Sequence, residues 1–186
     1  MISNKDFNKG ILLASLGSVW WGFIGVIYFK YISFVGHIEV LIHRCIWTTV
    51  MLFFTSLLLS KFSEIKKIII DKKKLFFLFI SGILIFTNWG VWIYAVSSDK
   101  IIDASFGYFI MPIISVFLGH FFFKEILNYK RKLSISIVII SIVLMFIFNF
   151  KSIPWVGLIV ALSWSFYNLI RKKIDVTADI GLFVES

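Results

Sequence analysis

The feature that most constrains this chain is a series of apolar runs, each close to the length of a membrane span, separated by short basic segments. They extend from Gly10 to Phe29, Ile38 to Ser60, Leu75 to Val96, Ile101 to Phe123, Leu133 to Phe150 and Ile153 to Ile170. A seventh begins near Ile180. A helix needs about 20 residues to cross the hydrocarbon core. Lipid offers the backbone no hydrogen-bond partner, so each run must satisfy its own groups as a helix. Strands of a membrane barrel would alternate apolar and polar residues, whereas these runs are apolar at both parities. The expected fold is all-α: a polytopic transmembrane helix bundle of six spans plus the start of a seventh. Composition closes off the alternatives. Of 186 residues, 60% are hydrophobic and 16% charged, more apolar surface than a soluble domain of this size can bury. Two Pro and one Cys exclude a collagen or a disulfide scaffold. The first run has no small-residue cleavage site, so it reads as a retained helix rather than a signal peptide.

The net charge of +9 invites a nucleic-acid reading, but the cations lie between apolar runs, where they set topology. Lys5 and Lys9 precede the first run. Lys61, Lys66, Lys67, Lys72, Lys73 and Lys74 lie in the second-to-third loop, Lys124, Lys130, Arg131 and Lys132 in the fourth-to-fifth, and Arg171, Lys172 and Lys173 in the sixth-to-seventh. These 15 share one side, against Lys30, Lys100 and Lys151 on the other, with Arg44 inside a span. The bias places the N-terminus and the even loops of a multi-pass membrane protein in the cytoplasm. It also argues against two copies inserting in opposite orientations, which would need balanced loops.

Gly10, Ala14, Ser18 and Gly22 recur every four residues in the first run; Gly157, Ala161 and Ser165 do so in the sixth. Such a stripe lets another helix approach closely in lipid, where the hydrophobic effect does not drive helices together. A repeat after five spans would enter the membrane from the opposite side, the inverted-repeat plan of many secondary transporters. Small residues at this spacing also occur by chance, and the stripes alone leave both readings open.

Several short motifs occur in order along the chain: Trp21-Gly22 and Tyr28-Phe29-Lys30; His43-Arg44 followed by Ile46-Trp47; Asn88-Trp89 followed by Ala95-Val96; Ala104-Ser105, Gly107-Tyr108-Phe109-Ile110 and Pro112; Ser165-Phe166-Tyr167 and Arg171-Lys172-Lys173. Together they resemble the RarD group of the EamA family, within the drug/metabolite transporter superfamily. The resemblance implies ten spans in two inverted five-span repeats with both ends in the cytoplasm. On that plan residues 1–150 are the first repeat and residues 151–186 the start of a second, truncated one. Asp103 stands where the group usually has Glu, Met111 where it often has Asn, and Lys124 where the wider family often has Gly.

Ionisable groups inside lipid are costly, by about 2.5–3.5 kcal/mol on insertion scales. Glu39 and His43 share a face of the second helix at i, i+4, and Arg44 lies beside them. Asp103 near the start of the fourth helix reads either as a helix N-terminal acid favoured by the macrodipole or as a counter-charge to Arg44. Pro112 should kink that helix and free a carbonyl. Asn88 and Trp92 share a face of the third helix. The candidate substrate-binding residues are therefore Arg44 (anion contact), Asn88 (hydrogen bonding), Trp92 (aromatic wall), Asp103 (proton or counter-charge) and Tyr108 (hydrogen bonding). His37 and Glu39 do not share a helix face, so no metal site is expected with His43, and His120 reads as interfacial. Phosphate loops, HExxH, CxxC and nucleophile turns are absent from the sequence, so neither an enzyme nor a cofactor is expected.

The leading expectation is a secondary transporter moving a small metabolite or drug-like molecule, in contact with lipid and with no nucleic-acid partner. The alternative is a non-transporting membrane subunit or inactive fragment that needs a C-terminal half or a partner chain.

Overall fold

The computed structural model describes residues 4–149 and 154–186. Among these the chain is helical throughout, with no strand. The elements are α1 (Asn4–Val19), a π-helical turn (Trp20–Gly25), α2 (Val26–Tyr31), α3 (His37–Leu58), α4 (Phe62–Ile70), α5 (Lys72–Ser97), α6 (Ile101–Phe123), α7 (Tyr129–Asn149), α8 (Trp155–Lys173) and α9 (Ala178–Glu185). Phe150, Lys151 and Ile153, at the expected boundary between repeats, lie outside the described residues.

Five helical segments are long and apolar enough to cross a membrane: Phe7–Tyr31, His37–Leu58, Lys72–Ser97, Ile101–Phe123 and Tyr129–Phe148. The sixth expected span forms a helix, α8, but is not among them. Its last turn is Arg171-Lys172-Lys173, and Ser163, Ser165 and Asn168 dilute its apolar stretch. It is also the most enclosed of the later helices, packed between α5 and α6. The large apolar side chains of α1 and α7 are mostly exposed, as lipid-facing helices require.

Local chemistry explains the boundaries. α1 and α2 form one long helix interrupted by the π turn. An extra residue in one turn rotates the rest of the helix by about 100°. α1 is exposed from Phe7 to Val19, whereas Gly25 and Phe29 beyond Trp20 are buried. The Asp71 carboxylate caps α5 by accepting from the Lys73 and Lys74 amides at 3.1 Å each. α6 ends at Lys124, whose backbone is left-handed (φ 55°) and whose amide bonds the Gly119 carbonyl. Glycine would adopt that conformation without a Cβ penalty.

The segment between the second and third spans, expected only as a basic loop, contains α4. It buries Ile65 and Ile68 against Leu78, Ile174 and Ile180. Its lysines at 66 and 67 leave an apolar face at i, i+3 spacing, the pattern of a helix lying at an interface.

α6 and α8 cross backbone to backbone. A Cβ on Gly107 would lie 2.3 Å from the Gly157 carbonyl oxygen, and one on Gly157 would lie 2.3 Å from the Asp103 carbonyl oxygen. Ala161 and Ser165, one and two turns on, are buried, and Ser165 donates to the Met111 carbonyl at 3.3 Å. The α1 stripe differs. Gly10, Ala14, Ser18 and Gly22 are all exposed, and nothing lies within 4 Å of a Cβ built at Gly10 or Gly22.

Candidate functional site

The main core packs α2, α3, α5 and α6 around Phe29, Leu41, Trp89, Trp92 and Ala104. Beside it, between α3 and the π turn with α2, lies a cavity of about 750 Å³. Trp21, Tyr28 and Phe29 line one wall; Glu39, His43, Arg44 and Trp47 line the other. Trp21 in the π turn and Phe29 in α2 both pack on Trp92 of α5, which holds that wall in place.

Arg44 is the charged residue at its inner edge. Its guanidinium carbon lies 3.9 Å from the Trp89 ring centroid, 4.8 Å from Trp21 and 5.8 Å from Phe29. Nη1 is buried and has no hydrogen-bond partner. Among the described residues Arg44 forms no ion pair. Three rings, at about 1 kcal/mol each, offset a burial cost of about 3 kcal/mol. The charge is thus tolerated without a carboxylate, and its hydrogen-bonding capacity is left unspent. The Tyr108 hydroxyl comes within interaction range of both Arg44 and Trp21.

The sequence candidates fall into three groups. Arg44 and Tyr108 come together, and Trp92 stands behind them, 5.0 Å from Trp21 and 5.1 Å from Phe29 between ring centroids. Asn88 lies elsewhere: its side-chain amide donates to the Val160 carbonyl at 3.0 Å and to Ser163 Oγ at 3.1 Å, tying α5 to α8. Asp103 lies in the first turn of α6, makes no ion pair with Arg44, and lends its carbonyl to the Gly157 crossing. Pro112 lines a second cavity of about 360 Å³ between α6, α7 and α8. Glu39 and His43 are exposed at the cavity mouth, and His37 stacks edge-on to Tyr94. No group of three or more metal-ligating side chains occurs among the described residues.

The aromatic side chains around Arg44 are the residues that sequence reasoning passed over. Trp21 and Trp89 each sit in a quoted motif, but nothing in their spacing shows that residues so distant in the chain meet at one guanidinium.

The loops expected on one side do meet at one end. Lys61 pairs with Asp179 at 2.6 Å, Lys74 reaches the Asp175 carbonyl at 3.4 Å, and Glu125 contacts Lys172 directly and Arg131 at 3.8 Å. The Lys172 hydrogen bond holds the Glu125 carboxyl below its usual range. Hydrogen bonds from Lys61 and then Thr177 bring Asp179 down to about 2, and Asp179 in turn pushes the Lys61 amine up. His120 Nδ1 lies 2.7 Å from the Glu125 carbonyl. At the opposite end Lys30 pairs with Asp99 at 2.6 Å.

Long apolar helices and a backbone-close crossing define a polytopic helical membrane protein. Residues 8–147 match the EamA-like transporter family, and the chain belongs to it. It is 37% identical over 185 residues to protein RarD of Escherichia coli, covering 98% of this chain and 61% of that protein. It is 34% identical over 182 residues to an uncharacterized transporter of Vibrio cholerae (98% and 60%), and 32% identical over 191 residues to the uncharacterized transporter YojE of Bacillus subtilis (100% and 62%). The chain thus spans about 60% of the length of these relatives. No solved structure matches it.

Proposed function

We propose that this chain is the solute-binding part of a secondary transporter. It would move a small organic solute across the bacterial inner membrane, with its N-terminus in the cytoplasm and residues 151–186 opening a second, inverted repeat. One observation carries the reading: Arg44, inside a span, has a buried nitrogen without a hydrogen bond at the edge of a cavity of about 750 Å³. A cation at that depth is tolerated where it serves a solute pathway. Arg44 supplies the anion contact, Tyr108 a hydroxyl and Trp92 the wall behind Trp21. The family supports transport, and the loop charges support the orientation. Asn88 and Asp103 contribute by holding α8 against α5 and α6, which fixes the wall on which Trp89 and Trp92 sit.

The test is ligand binding read by tryptophan fluorescence, because Trp21 and Trp89 flank the guanidinium. A panel of small carboxylates and phosphates is titrated against the protein purified from its own membrane. The expected result is saturable quenching by one class, lost in Arg44→Ala and weakened in Arg44→Lys, which keeps the charge but not the planar stack. Equal quenching in wild type and Arg44→Ala contradicts the assignment.

A further inference from the structure

A second intramembrane charge lies in α9, outside the cavity just described. The Glu185 side chain has no exposed surface. Ser81 of α5 donates to its Oε1 at 2.6 Å, and Tyr167 of α8 donates to its Oε2 at 3.1 Å. Arg171 Nη1 stands 3.6 Å from Oε1, beyond hydrogen-bond distance, and finds no other partner. Nη2 of the same guanidinium donates to the Thr177 carbonyl at 3.0 Å. Gly181 makes room for this arrangement, since a Cβ there would lie 1.9 Å from Nη1. Beside the cluster is a small cavity of about 100 Å³ lined by Cys45, Trp89, Glu185 and Ser186. Trp89 thus touches the Arg44 guanidinium and also lines the Glu185 cavity.

The two charges occupy matching places. α3 and α9 run antiparallel: Lys61, just beyond α3, pairs with Asp179 at the start of α9, and Thr49 bonds Ser186 farther along. Arg44 is the eighth residue of α3 and Glu185 the eighth of α9. Each lies about 10 Å along its helix from the end where that helix begins. The preceding helices match as well, Trp21-Gly22-Phe23 against Trp164-Ser165-Phe166.

We propose that Glu185 is a proton-binding site that clamps α9 to α5 and α8 when ionised and releases them when protonated. The proposal rests on the transport reading above, for which it supplies the coupling step. An ionised carboxylate only accepts, so both hydroxyls can donate to it. A proton taken from water forms one O–H bond at Oε1 or Oε2, and no other covalent bond changes. The protonated oxygen is then a donor, and the facing hydroxyl turns its own hydrogen away, that of Ser81 to the Leu78 carbonyl at 3.0 Å. Two charge-assisted bonds become neutral ones, roughly half as strong. The site suits a proton and not a metal ion, because a guanidinium and two hydroxyl hydrogens already point at the carboxylate. The charged or titratable groups facing it are Arg171 and Tyr167 from α8 and Cys45 from α3, while α5 presents Ser81.

Cys45, the one cysteine of the sequence, reports on the clamp from across the small cavity. Its alkylation by N-ethylmaleimide is followed, by mass spectrometry of its peptide, in the protein reconstituted in vesicles at a series of pH values. Wild type and Glu185→Gln are compared at each pH, and each rate is divided by that protein's own thiolate fraction, read from thiolate absorbance, because the Glu185 charge itself disfavours the thiolate across the shared cavity. The expected ratio is about tenfold faster labelling in Glu185→Gln at high pH, falling to one as Glu185 itself takes up a proton. A ratio that does not change with pH overturns the proposal. Should Glu185→Gln fail to fold, Tyr167→Phe removes one donor. It should label faster than wild type at high pH and equally at low pH, and equal rates throughout overturn the proposal too. The measurement needs neither solute nor gradient. It can fail while Arg44-dependent binding stands, and the reverse.

Discussion

At Lys124 a single backbone angle links family pattern to physics. A left-handed residue with a Cβ costs about 1 kcal/mol or more relative to glycine. Lys124→Gly should therefore raise the stability of the purified protein by about 0.5–1 kcal/mol, after allowing for the freer unfolded chain, and thermal unfolding in detergent measures it. The Lys61–Asp179 pair makes a prediction with a definite sign. The Asp179 carboxyl is depressed from its ordinary 3.8 to about 2. Its stabilisation is fully present above the ordinary value and is lost as pH falls through about 2. Asp179→Asn should lower the melting temperature slightly at neutral pH, because the pair is partly open to solvent, and the difference should vanish near pH 2. A difference of the same size at both pH values would show that Asp179 acts through something other than its charge. Arg44 was legible as a buried cation from its neighbours in the sequence; the rings that hold it were not, because they come from helices distant in the chain.

Among the elements, the two small-residue stripes looked alike on paper and differ in space. Gly157→Ala would drive a Cβ into backbone atoms of α6, which cannot move as a side chain can, and should cost about 1–3 kcal/mol. Gly22→Ala meets open space and should change stability by well under 1 kcal/mol. Thermal unfolding of the two variants side by side checks the contrast, and equal losses would contradict the close crossing. The apolar runs predicted the helices well because in lipid a run of that length has no other way to satisfy its backbone. α6 begins and ends where Ile101 to Phe123 was expected. Two things escaped that reasoning. One is the π turn, beyond which Trp21 and Phe29 pack on Trp92 of α5, a tertiary contact that sequence spacing does not show. α4 was hidden because its lysines read as topology signals, although Ile65 and Ile68 carried a helical spacing.

For the whole molecule, the bundle has two kinds of interior. One is tight, where the backbones of α6 and α8 cross at Gly107 and Gly157 and Asn88 ties α8 to α5. The other is open, in the cavities beside Arg44 and between α6, α7 and α8. A carrier needs both, a body that keeps its shape and a site that a solute can reach. Solute flux in vesicles containing the protein purified from its own membrane tests the central claim most directly. With a carboxylate or phosphate that quenches its tryptophans, uptake should be saturable and well above that of empty vesicles, and should fall about tenfold or more in Arg44→Ala. Uptake at the wild-type rate in that variant, or no uptake of any solute that binds, would contradict that claim.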